Sequence, residues 1–167
     1  MTLSIVKILA CCGRIEQDTL AEAVARRFAQ ESHRDYGMGA AQLLTRFDAG
    51  RHWRIEAPKL FGIGSFGNGG TMRAAPIGAY FAGDAQHAAH EAQLAAESKR
   101  GHIDGQAGAM AVAAAASLLA IDNVRDASEL LSAVTSLLPA CGSSAGAWHR
   151  ANYTLLESDV GRYDRMI

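Results

Sequence analysis

Gly62-Ile63-Gly64-Ser65-Phe66-Gly67-Asn68-Gly69-Gly70-Thr71-Met72-Arg73 holds five of the chain's 17 glycines and runs straight into an Ala-rich segment. Little side chain stands between the backbone N–H groups of such a loop and whatever approaches it. A helix starting at its end adds the positive end of its dipole. Together these outline a cradle for an anion or a phosphate. Gly62-x-Gly64-x-x-Gly67 has the spacing of a dinucleotide-binding turn, but Glu56-Ala57-Pro58-Lys59-Leu60-Phe61 before it is no strand-like run. No Gly-Lys-Ser/Thr is present, which excludes a P-loop. Ile63 stands where a nucleophile elbow needs its first glycine. Two readings stay open from the residues alone: a ligand loop, or a turn that lets two helices pack closely.

The segments on either side carry helical patterns. Ile5, Ile8, Leu9 and Cys12 recur at i, i+3, i+4 and i+7, and Gly13 ends that helix, with Ser4 as a weak cap. Thr19-x-x-Glu22 has the form of a capping box for a second helix with Leu20, Val24 and Phe28 inside. A third runs over Met38–Asp48, with Ala40, Leu43, Leu44 and Phe47 inward and Gly50 closing it; Trp53, Leu60 and Phe61 anchor the connection onward. Asn68 is the expected N-cap of the next helix, which Pro76 either kinks or effectively starts. Asp84 caps a helix over Ala85–Ser98, Asp104 caps a long Ala-rich rod to Ile121, and Asp126-x-x-Glu129 opens another that Pro139 stops. Ser143 or Ser144 caps the last, over Ala145–Glu157. No window alternates apolar and polar residues, and no linker divides the chain. The expectation is one all-α domain over residues 1–167, a single bundle of about eight helices.

Composition agrees. The chain has 167 residues, enough for one domain with a real core; 49% are hydrophobic and only 7% aromatic, which suits close helix packing. Sixteen basic against 17 acidic residues call for neither nucleic acid nor an anionic membrane. The Ala-rich run is too short and too weakly apolar to span a bilayer. Cys11, Cys12 and Cys141 give an odd count with no Cys-x-x-Cys, so buried reduced thiols and a cytoplasmic location are expected. No signal peptide is read at Met1-Thr2-Leu3-Ser4, and Met1 reads as a cut inside an element.

Gly64-Ser65-Phe66-Gly67-Asn68-Gly69-Gly70-Thr71-Met72-Arg73-Ala74-Ala75-Pro76 resembles the Gly-Asn-Gly-Ala-Met-Arg-x-x-Pro segment of the ADP-ribosylglycohydrolases. Gly101-His102-Ile103-Asp104-Gly105-Gln106-Ala107-Gly108-Ala109 looks like that family's second recurring segment, Thr-His-x-His-Pro-x-Gly-x-x-Gly-Ala. Its second histidine falls on His102, its first on Arg100 and its threonine on Lys99. The resemblance extends along nearly all of the chain, which would form the middle of a full family member, truncated at both ends.

The resemblance implies an all-α fold and an enzyme that removes ADP-ribose from a protein side chain or a related acceptor. It implies ADP-ribose or an ADP-ribosylated protein as partner. Ser65, Phe66, Gly67, Asn68, Gly69 and Gly70 would line the pocket, with Phe66 against a sugar or base. Arg73 serves phosphate or a nearby carboxylate, and both readings stay open. His102 either meets a substrate oxygen or fixes its loop by bonding backbone. Met72 reads as core. The resemblance also implies a cofactor of two magnesium ions held by acidic motifs near each end of the fold. Those motifs are missing here: Asp18-Thr19 lacks a preceding aspartate, and Asp159 and Asp164 lack Asp-x-Asp-Thr spacing. The catalytic residues therefore stay unassigned. Three readings follow: a family hydrolase, an inactive ADP-ribose-binding module, or a non-functional gene fragment. Of the other histidines, His33, His52, His87, His90 and His149, the pair His87 and His90 has no third ligand at useful spacing and reads as a solvated face. Trp148 and Tyr153 read as packing residues.

Overall fold

A computed structural model of the chain describes residues 1–32, 36–60, 69–97, 103–121, 124 and 126–138. Among them it has eight α-helices, one 3-10 turn and no strand. In chain order these are α1 (Thr2–Cys12), α2 (Gln17–Gln30), α3 (Met38–Asp48), α4 (Trp53–Glu56), the 3-10 turn (Thr71–Arg73), α5 (Ala75–Tyr80), α6 (Ala85–Glu97), α7 (Ile103–Leu119) and α8 (Ala127–Ser136). The all-α expectation holds. No helix among the described residues is long and apolar enough to cross a membrane. The last expected helix, over 145–157, and Cys141, His149, Trp148, Tyr153, Asp159 and Asp164 lie outside the described residues, as do His33 and Phe61.

The apolar stripes read from the sequence meet in one core. Ile5, Leu9, Leu20, Val24, Leu44 and Ile77 are fully buried together with Ala88, Ala92, Ala96 and Ala113. Each large aliphatic side chain taken out of water here contributes about 1.5–3 kcal/mol. α7 is the rod around which the later helices gather: it packs along α5 and α6 and touches α8 and the 3-10 turn. On its far side Met110, Ala111 and Ala114 meet Val134 of α8.

Several helix ends follow the sequence. Gly13 closes α1 in the left-handed conformation, with its N–H donating to the Leu9 carbonyl. The Asp84 carboxylate accepts from the His87 N–H at 3.0 Å, and that of Asp126 accepts from the Glu129 N–H at 2.9 Å. Pro76 sits in the first turn of α5 and marks a helix start rather than a kink, because its missing N–H costs nothing there.

Other expectations are corrected. α2 begins at Gln17 with Glu16 as its N-cap, so Thr19 and Glu22 lie inside the helix and form no capping box. The cause is tertiary: the Gln17 amide donates to the Leu94 carbonyl and to Glu97, which holds the chain helical two residues earlier. Ser4 is buried inside α1 and does not cap it. α7 begins at Ile103, ahead of the expected Asp104 cap. Cys11 and Cys12 are exposed rather than buried: Cys11 lies off the Ile5–Ile8–Leu9 face that α1 turns to the core, and Cys12, in register with that face, falls at the last residue of the helix. The short helix α4 was not read from the sequence at all.

Gly78 decides how near α5 comes to α7. A Cβ at this position would lie 2.1 Å from the Ala113 carbonyl oxygen and 2.6 Å from the Ala116 Cβ. Neither backbone can yield without moving a helix. We expect Gly78→Ala to destabilise the protein by about 2–3 kcal/mol, overpacking outweighing the gain in helix propensity. Chemical denaturation of the two proteins checks this; an unchanged midpoint would contradict the close crossing.

Candidate functional site

The 3-10 turn that follows the glycine loop is the described edge of the candidate site. With three residues per turn, its side chains point in three directions. Thr71 faces α7, where a Cβ added to Gly108 would fall 2.7 Å from its Oγ1. Arg73 points into the protein and is 3% exposed. Met72, read as core, is instead 75% exposed, because the inward directions are taken by its two neighbours.

Arg73 gives its Nη2 to the Ala95 carbonyl near the end of α6 at 3.3 Å, and its Nη1 lies 3.2 Å from Met1 Sδ. A cation is well placed at a helix C-terminus, where the dipole is negative. A buried guanidinium also needs acceptors to offset its lost hydration. These two contacts are with a backbone carbonyl and a thioether. They tie the end of the glycine loop to α6 and to the start of α1. Gly70 is buried and Gly69 is half-buried behind this turn. Ser65, Phe66, Gly67, Asn68 and His102 lie outside the described residues.

The chain stretches that lead toward the loop and away from it are held by polar ties. Trp53 is buried and donates its Nε1–H to the Asp18 carboxylate at 2.6 Å. Arg54 stacks its guanidinium 4.9 Å from the Trp53 ring centroid and also approaches Asp18 at 3.7 Å. Leu60, the last described residue before the loop, is buried against Leu43 and Ala57. On the other side Gln93 donates to Gln106 at 3.2 Å, joining α6 to the first turn of α7.

Glu91 is a buried carboxylate that the sequence reading did not single out. It accepts from the Ile15 N–H at 2.5 Å and faces His87 Nε2 at 3.5 Å, so the α1–α2 connection is clamped onto α6. A signal existed: Glu91 lies within the apolar stripe of Ala88, Ala92 and Ala95, where a charge needs a partner. Asp18 and Trp53 left no such signal, since their meeting joins positions 35 residues apart.

The described carboxylates do not suit a pair of magnesium ions. No group of three or more His, Cys, Asp or Glu side chains among the described residues is placed to hold a metal. Glu91 holds a backbone N–H, Asp18 an indole, Asp84 and Asp126 cap helices, Glu56 pairs with Arg46, and Glu16 pairs with Arg14. His87 and His90 are both exposed, and His87 faces Asp84 and Glu91 through different ring nitrogens, which is no chelating arrangement.

An all-helical chain with this loop and turn is matched by the sequence profile of the ADP-ribosylglycohydrolase family over residues 1–165. The chain belongs to the ADP-ribosylglycohydrolase family. Comparison with curated proteins and with solved structures gives no match.

The Thr71–Gly108 contact sets the turn against α7. Gly108→Ala is expected to cost about 1 kcal/mol by pushing Thr71 away. In a Thr71→Ala background the same change should cost little, since Oγ1 is gone. A double-mutant cycle by denaturation measures the coupling; additivity of the two changes would show that the contact does not exist.

Proposed function

We propose that this chain binds ADP-ribose, free or on a protein, through the loop Ser65–Gly70. The observation that supports the reading is the mount of that loop: Thr71 against Gly108 and Arg73 buried onto Ala95, directly after the family's Gly-Asn-Gly segment. Backbone N–H groups of Ser65, Phe66, Gly67, Asn68 and Gly69 meet phosphate and ribose oxygens in this reading, and His102 hydrogen-bonds a substrate oxygen. Arg73 then acts by holding the loop rather than by touching phosphate, because its guanidinium is committed inward.

Cleavage of the glycosidic bond between ADP-ribose and its acceptor is the reaction implied by the family. The described carboxylates favour a second reading, binding without hydrolysis, since they offer no donor set for the metal ions that the reaction is expected to use. We place the protein in the cytoplasm, where exposed thiols such as Cys11 and Cys12 stay reduced.

Titration calorimetry with ADP-ribose is expected to show binding that Asn68→Ala weakens by roughly tenfold, the effect of one lost hydrogen bond in a desolvated site. Magnesium is expected to leave the melting temperature unchanged, and no ADP-ribose to be released from an ADP-ribosylated protein. Magnesium-dependent release would establish the hydrolase reading instead. Absence of ADP-ribose binding at ligand concentrations up to about 1 mM would end both.

A further inference from the structure

We propose that Cys11 and Cys12 form a two-sulfur site for a soft monovalent metal ion, Cu(I), at the end of α1, an inference independent of the ADP-ribose reading. The two residues are adjacent and both are exposed. Cys12 is the last residue of α1, and Gly13 turns the chain away in the left-handed conformation with its N–H on the Leu9 carbonyl. Both thiols therefore project from a held backbone. Partial desolvation and hydrogen bonding with Cys11 push the Cys12 thiol above its ordinary range, so the two sulfurs lie within reach of each other.

Such a pair is poorly suited to closing on itself. Adjacent Cα atoms stand about 3.8 Å apart, below the range of about 4.4–6.8 Å that a relaxed disulfide spans. Successive side chains on a helix also diverge by about 100° around its axis. Joining the sulfurs directly would open the last turn of α1, whereas an ion seated between them lets the backbone stay. Thiolate donors select soft metals: Cu(I), zinc or iron–sulfur clusters. Structural zinc takes four ligands, and the clusters are held by about four cysteines. Among the described residues no third His, Cys, Asp or Glu joins the pair to hold a metal. Cu(I) is the one of these that two sulfurs satisfy, in a linear arrangement. On binding, the two thiols release two protons and the bis-thiolate complex carries one negative charge. Arg14, whose positive charge already acts on the Cys12 thiol, stands beside it with its partner Glu16.

The test gives the full chain, reduced and free of oxygen, Cu(I) held by a coloured chelator such as bicinchoninate. Wild type is expected to withdraw one equivalent of the ion. Cys11→Ser and Cys12→Ser are each expected to weaken that affinity by roughly 100-fold or more, since the second sulfur binds at a high effective concentration. Both should keep the wild-type melting temperature without metal, because exposed side chains contribute little to folding. Cys141→Ser should bind as wild type does. X-ray absorption of the copper-loaded wild type, which needs no variant to fold, should show two sulfur neighbours and no third ligand. No withdrawal of Cu(I), unchanged affinity in Cys11→Ser or Cys12→Ser, loss of binding in Cys141→Ser, or a third ligand in the absorption spectrum would each overturn the two-sulfur site.

Discussion

The approach of α5 to α7 at Gly78 is the constraint on which the later half of the structure depends. The backbone of α7 occupies the space where any side chain at position 78 would begin. Close-packed interiors lose dispersion energy quickly when surfaces separate by even a fraction of an ångström. Here the surfaces are mostly alanine: Ala88, Ala92, Ala95, Ala109 and Ala113 line the junction of α6 and α7. A methyl group buries little area, so such a core gains its energy from nearness. Gly78 lets the helices reach that nearness, and Ser117 seals the far end by donating to the Phe81 carbonyl at 2.6 Å.

What is done by that crossing is felt at the 3-10 turn. Once α5 is seated on α7, the residues just before it must fit between α7 and the end of α6. Thr71 and Arg73 fill those two directions, one against Gly108 and one onto Ala95. The glycine segment therefore enters the bundle at a defined point. Arg73 reaches Met1 as well, so the first turn of α1 meets the same corner of the fold. Asp18 and Trp53 do for the entering strand of chain what Arg73 does for the leaving one.

Family membership and the chemistry of the described side chains separate at the carboxylates. The family match spans residues 1–165, while among the described residues Glu91, Asp18, Asp84 and Asp126 are engaged in architecture. Glu91 shows how thoroughly: a buried acid in an otherwise apolar stripe is spent on a single backbone N–H and a neighbouring histidine.

The sequence by itself determined the helical class, most helix boundaries and the family. Periodic apolar residues such as Ile5, Ile8 and Leu9, or Leu20 and Val24, report a buried face locally, and Asp84, Asp126, Gly13 and Pro76 report ends through bonds that span only a few residues. The tertiary structure decided the rest. It started α2 at Gln17 through contacts with α6, exposed Cys11, Cys12 and Met72, turned Arg73 inward, and joined Asp18 to Trp53. Each of those outcomes depends on which surface arrives from a distant part of the chain, and a periodicity or a cap carries no information about its arrival.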